Sequence, residues 1–170
     1  MVQNAAPSRD QHIDPRLPEK DLLKGFLDWY REGIILKLRG LTKEQATKRL
    51  VRTPTTLLGV VKHLAYVEQG WFQRRLMGRK LPVPWTAEDP DADFRIEPDE
   101  TVDGIIAFYK DAVAESDRII AASNLDDEER SDGEERATLR WILVHMIEET
   151  ARHAGHCDIL REQTDGVVGE

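Results

Sequence analysis

The residues of this chain best suited to chemistry lie in TLRWILVHMIEETARHAGHCDILRE, Thr138 to Glu162. Leu139, Ile142, Met146, Glu149, His153, His156 and Leu160 follow one another at alternating spacings of three and four, the period of a helix face turned into a bundle core. The ends of that stripe are apolar, but its middle is an acid and two histidines. At about 100° per residue, Glu149 and His153 lie about 40° apart and one turn from each other, so they point the same way. An ionised carboxylate on a core-facing stripe is costly unless an ion pair or a metal satisfies it. Glu149 and His153 therefore read as two ligands of a divalent metal that need a third from another helix. The competing reading is structural: a hydrogen-bonded core histidine, with Glu149 salt-bridged to Arg140 or Arg152. This short motif does not by itself separate the two.

Between His12 and His145 the one histidine is His63. It flanks a second stripe of Leu57, Val60, Leu64, Val67 and Trp71, about 60° from Val60 and about 40° from Val67. It is the natural third ligand, although a structural histidine at a core edge has the same spacing. Cys157, one turn beyond His153, is within ligand reach in principle; a small buried hydrophobe is the simpler role for it.

Four long helices must position these groups. Pro18 suits a first turn, with Glu19 and Asp21 on the favourable end of the helix dipole. The first helix then runs to Arg39, with Gly40 as its C′ residue. Its apolar arc, from Leu22 to Leu38, is wider than one core stripe needs and points to a homodimer contact. Thr42 with Gln45 is a capping box that opens a short connecting helix to about Leu50. The second long helix starts at Thr53-Pro54-Thr55-Thr56 and runs to Met77, with Gly78 as its stop. Residues 79–100, rich in Pro and acids, form a long crossover from which Trp85 and Phe94 pack back onto the bundle. The third helix, capped by Thr101 or Asp99, carries Val102, Ile105, Tyr109, Ala112, Ser116 and Ile119. Residues 124–136 are a second, acidic connection before the last helix. The fold class is all-α, a four-helix bundle with long crossover loops and a short connecting helix. The boundaries are a flexible tail over 1–17, the bundle over 18–163 and a second tail over 164–170.

Composition narrows the partners. The 170 residues carry a net charge of −8, which repels nucleic acid phosphates, and no basic run overrides that sign. No apolar stretch is long enough to span a membrane, and no secretory h-region is visible at the N-terminus. The single Cys excludes an intrachain disulfide framework and fits a reducing, cytoplasmic setting.

Three strings carry a family likeness: GVVKHLAYVEQGWF around His63, PDADF in the crossover, and WILVHMIEETARHAGHCDILRE. They resemble the DinB-like (YfiT-like) superfamily of metal-binding four-helix bundles, in the branch that includes the mycothiol S-transferases. The likeness covers roughly residues 19 to 163. It implies that a histidine of the second long helix and two residues four apart on the last one bind a divalent metal, commonly zinc or nickel. Those positions are His63, Glu149 and His153. Many members have histidine where this chain has Glu149; the mycothiol-dependent maleylpyruvate isomerases resemble it in using a His-Glu-His set. His145 and His156 share the face of Glu149, and each can support the ligands, face the substrate or be a satisfied core residue.

Three protein ligands leave one position open, as in catalytic zinc sites. The resemblance implies a metal-dependent thiol S-transferase, in which a metal-bound thiolate, from mycothiol as co-substrate, attacks a small electrophile. The alternatives are a hydrolase using metal-bound hydroxide, a non-enzymatic metal-binding bundle and, from the two-His-one-carboxylate set, an Fe(II) oxygenase. No residue beyond the three ligands is assigned to catalysis or to thiol binding.

Overall fold

The computed structural model describes residues 13–131 and 136–168. The expected tail over residues 1–12, the middle of the acidic connection at 132–135 and residues 169–170 lie outside the described residues. The elements are α1 (Glu19–Leu36), α2 (Lys43–Ala46), α3 (Leu57–Glu68) continuing as a π-helical segment (Gln69–Leu76), a 3₁₀ turn (Ala92–Phe94), α4 (Val102–Ala122) and α5 (Leu139–Asp165). Among the described residues no strand forms; Glu128 and Thr138 make one isolated bridge. The fold is the all-α bundle expected, with α3 against α4 and α1 against α5.

Caps place the helix starts where short polar side chains can satisfy free N–H groups. Thr56, Thr101 and Thr138 accept from Gly59, Gly104 and Trp141. Thr42 and Gln45 form the reciprocal capping box, but α2 ends at Ala46, short of the expected Leu50. The α-helical part of α1 likewise stops at Leu36, and a turn carries the chain to Gly40. Gly78 and Gly166 have φ of +67° and +79°, a left-handed geometry that glycine adopts without a Cβ clash. Gly166 ends α5 three residues later than the sequence reading, so residues 164 and 165 are helical rather than tail. An Arg161–Asp165 pair at 2.8 Å supports that last turn.

The α3 continuation differs from expectation in a way that matters for the site. From Gln69 the helix widens, and Met77 N–H donates to Phe72 O, five residues back, at 3.2 Å. A π segment shifts the facing of everything after it. Leu57, Val60 and Leu64 are buried as expected, but Phe72 and Leu76 take the core positions below them. Val67 and Trp71, expected on the core stripe, are only partly buried.

The core falls into two apolar clusters. One gathers Ile34, Leu38, Leu57, Leu64, Ile105 and Tyr109 with Cys157 and Leu160. The other gathers Leu27, Phe72, Leu76, Ile119, Leu139 and Met146 with their neighbours. The turns that separate the clusters along the helices are polar and buried: Arg31, Glu68, Ser116 and Thr150. Arg31 makes two bonds to Glu68, Nε to Oε1 at 2.8 Å and Nη2 to Oε2 at 2.7 Å. Its Nη1 donates to Asp28 at 2.9 Å and Asp117 at 3.0 Å. Arg31 and Glu68 are 3% and 1% exposed, so neither charge has water to fall back on.

The arc of α1 that suggested a second subunit is largely used inside the chain. Leu27, Ile34 and Leu38 are buried, Leu23 and Ile35 pack on the two clusters, and Phe26 remains exposed. Cys157 is fully buried, and burial pushes its thiol up to about 12. A thiol held neutral at physiological pH is neither a ready ligand nor a nucleophile.

Two stability predictions follow from this packing. Arg31→Met leaves Glu68 buried without its partner, at a cost of about 3–5 kcal/mol; urea unfolding of that variant is expected to show it, and replacing Glu68 with Leu at the same time to recover most of it. Gly59 is the second position, because a Cβ there would lie 2.4 Å from the carbonyl oxygen of Phe94. Gly59→Ala must push the crossover off α3 and is expected to cost about 1–3 kcal/mol in the same measurement.

Candidate metal centre

His63 reaches the centre from α3, and Glu149 and His153 from α5. The crossover meets them there. Gly59 admits the Phe94 backbone one turn before His63, which lets the 3₁₀ turn lie against α3. Phe94 then stacks on the His63 ring, with centroids 4.1 Å apart and planes 15° from parallel. Asp93, buried to 6% exposure, accepts from His63 Nδ1–H at 2.7 Å. That bond fixes the imidazole so that Nε2 points to the other helix, as a carboxylate behind a ligand histidine does.

The expected trio converges. His63 Nε2 and His153 Nε2 lie 3.3 and 3.1 Å from the same oxygen, Oε1 of Glu149. One donor atom from each residue lies within 4.8 Å of the other two. Ligands at about 2.0–2.1 Å in a tetrahedral shell are about 3.3 Å apart, close to the two histidine–carboxylate spacings.

Electrostatics explain what the donor set wants. Burial pulls the His63 pKa down, but its bonds with Asp93 and Glu149 outweigh burial and hold it above its ordinary value. Hydrogen bonds from His153 and His63 hold Glu149 far below the usual carboxylate range against the opposing effect of burial. Protons alone must therefore place two N–H groups on one oxygen and charge His63, whose other nitrogen already donates to Asp93. A divalent cation held by His63, Glu149 and His153 would satisfy both imidazoles and the carboxylate without a second proton on His63. His153 Nδ1 has no partner among the described residues, so the bonding of that ring is directed through Nε2. Two imidazoles and a carboxylate fit a borderline divalent ion such as zinc or nickel.

The other sequence candidates fall around this centre. His156 is exposed and meets His153 edge-on at 5.3 Å; burial and the nearby His153 and Arg152 lower its pKa. His145 lies further along α5, stacked on Trp141 at 5.1 Å and edge-on to Trp71 at 4.6 Å. It is 3.6 Å from Glu148. Arg140, one of the two arginines considered for Glu149, pairs instead with Glu19 and Asp126. Arg152 is exposed. The face of α5 also sits differently from the expected stripe. Thr150 and Cys157 are buried where Glu149 and His156 were placed, because a straight helix drifts from a strict seven-residue repeat. Glu149 is thus at the rim of the core, 17% exposed, where an incoming group can reach it. The residue that sequence reasoning missed is Asp93. Its one signal was its place in PDADF, and a loop acid 30 residues away in sequence has no periodicity that points to His63.

A cavity of about 370 Å³ opens beside His63 and Asp93, walled by Tyr66, Trp71 and Trp85, with Arg74 and Arg75 at its margin. Trp85 meets Tyr66 edge-on at 6.0 Å, so the crossover does pack back onto the bundle. A larger depression of about 510 Å³ lies on the other side of Phe94, lined by Lys43, Thr56, Asp91 and Arg95, and includes none of the trio.

Comparison with known proteins agrees with this architecture. A solved structure described as a conserved protein of locus from Enterococcus faecalis superposes with a TM-score of 0.65 at 16% identity, over 89% of this chain and 99% of that one. At that identity the likeness concerns the fold. Among curated proteins, none matches the chain. The family model described as Mycothiol-S-transferase matches residues 22–166, a span that holds all but the first turn of α1, the other three long helices, the crossover and the trio. The chain belongs to the mycothiol S-transferase family, within the DinB-like superfamily of four-helix bundles.

Proposed function

We propose that this protein is a metal-dependent S-transferase that joins a low-molecular-weight thiol, mycothiol, to small electrophiles. The observation that supports it is the convergence of His63, Glu149 and His153 beside an open cavity in a chain of this family. These three side chains would hold the ion. When bound, a divalent metal lowers the pKa of a coordinated thiol and favours the nucleophilic thiolate near neutral pH.

The chain's own residues do the rest. Asp93 holds the Nδ1 proton of His63 and so keeps Nε2 aimed at the centre. Glu149 stays ionised and offsets one unit of the ion's charge, which tempers how strongly a thiol is acidified. Phe94 covers one face of His63 and shields it from water on that side. The thiol S–H bond breaks as sulfur bonds to the electrophilic carbon. In an addition the electrophile's π bond opens and its other end takes a proton. In a displacement such as that of monobromobimane the C–Br bond breaks, and bromide and the thiol proton leave to solvent.

The test is conjugation of a bacterial thiol panel to monobromobimane by the metal-loaded protein, with mycothiol expected to be the thiol used. His63→Ala and His153→Ala are each expected to bring bound metal to background and to abolish transfer, with unchanged far-ultraviolet circular dichroism. Metal analysis alongside rates checks this, and wild-type rates in both variants would end the assignment.

Two finer variants separate coordination from support. Glu149→Gln keeps the shape but removes the charge, so metal affinity and turnover fall together and excess metal restores part of both. Normal metal binding with lost turnover would make Glu149 a base instead. Asp93→Asn is expected to weaken metal binding by about 10- to 100-fold, as the loss of such a supporting carboxylate does, measured by competition with a chromogenic chelator.

A further inference from the structure

The cavity beside His63 differs at its two ends. At one end are His63 and Asp93; its walls include Tyr66, Trp71 and Trp85, and its far margin carries Arg74 and Arg75. The two arginines are not equivalent. Arg75 is committed, with Nε and Nη2 donating to Glu129 at 2.8 and 3.0 Å and its guanidinium over Trp71 at 4.1 Å. Arg74 lies over the Trp85 ring at 5.6 Å and, among the described residues, has no carboxylate or carbonyl partner. The acid of this cavity, Asp93, is taken up by His63. The net result is a cavity with flat aromatic walls and one uncommitted cation.

The π-helical segment produces this arrangement. The wider turn over Gln69–Leu76 sends Phe72 and Leu76 into the core while Gly70, Trp71 and Arg74 line the cavity. Gly70 leaves open the space beside the aromatic walls, since a Cβ there would meet nothing within 4 Å. The axial rise from His63 to Arg74 is at most about 16 Å, and long helical side chains lean back toward the N-terminus. A flat molecule of one ring and a short chain spans the remainder.

We infer that this cavity receives the electrophile, and that the preferred electrophile has a flat unsaturated or aromatic body bearing an anionic group that Arg74 binds. This deepens the S-transferase reading and rests on it for the word electrophile alone; the recognition itself is a binding property. Tyr66 and Trp85 supply flat apolar surface, where stacking is favourable for any planar group. Arg74 supplies the planar fork that matches a carboxylate, and its contact with Trp85 keeps that fork at the cavity edge. Arg74 is a specificity-determining residue in this scheme and takes no part in the chemistry at the metal.

The probes are cinnamate and its neutral isostere cinnamamide, titrated without thiol against the metal-loaded protein and followed by tryptophan fluorescence and calorimetry. Cinnamate is expected to bind about tenfold more tightly than cinnamamide, the scale of one charge-assisted contact at a partly open site. Arg74→Gln is expected to erase that difference, Arg74→Lys to keep part of it, and Trp85→Leu to weaken both probes together. Equal affinities in the wild type, or no binding of either probe at millimolar concentration, would overturn the inference. So would a preference that survives Arg74→Gln, since the carboxylate would then be bound elsewhere, at the metal included. Displacement of cinnamate by mycothiol in simple competition would give the cavity to the thiol and also sink it. Because no turnover is measured, failure of thiol transfer leaves these outcomes intact, and failure here leaves thiol transfer intact.

Discussion

The bidentate pair of Arg31 and Glu68 is the constraint on which the rest of the bundle is arranged. A guanidinium and a carboxylate that are both almost fully buried have to meet each other, because either alone in an apolar interior is prohibitively costly. The pair fixes the height of α1 against α3, and the reach of Arg31 to Asp117 adds α4. Hydrophobic packing alone tolerates a slide of one helix turn better than this geometry does. The pair therefore trades some stability for a single register. Above and below it, two apolar clusters supply the bulk of the stabilisation.

That register has consequences at the candidate metal centre. Glu68, fixed by Arg31, is the last α-helical residue of α3, and the π segment begins at the next position. The polar turns of α4 and α5, Ser116 and Thr150, lie at the same boundary between the clusters. Glu149 and His153 flank Thr150 on α5, so the trio sits where the core is already interrupted. Placing an acid and two histidines at such a boundary spares the apolar clusters the desolvation of a carboxylate. It also leaves Glu149 at a rim that a small molecule can approach.

The crossover has the complementary task. It is tied down by the close approach at Gly59, by the Asp93–His63 bond and by Trp85 against Tyr66. Residues that anchor the loop are thereby the same residues that orient a ligand and wall the cavity. Loops carry specificity on a rigid scaffold in this way, and here the scaffold helix itself contributes by widening at the π segment.

The periodicity of the sequence determined the helices, their caps and the all-α bundle, because core burial forces a spacing of three and four that is visible without coordinates. It also marked Glu149, His153 and His63 as a candidate set, an acid and a histidine one turn apart on an apolar stripe with one further histidine flanking another. The same spacing fits structural core residues, however, and the family resemblance was needed to favour a metal. The tertiary structure alone decided the remainder. Asp93 joins His63 through space across a loop, and such a contact leaves no period in the chain. The π segment turned Trp71 toward the cavity and gave the core positions to Phe72 and Leu76, because one widened turn rotates every residue after it. Arg31 and Glu68 read as ordinary helix-surface charges until two helices bring them together, since the partner that makes a buried charge tolerable is never local. Whether Glu149 or Thr150 faces the interior was likewise decided by the drift of a straight helix against the other three, which spacing by itself leaves open.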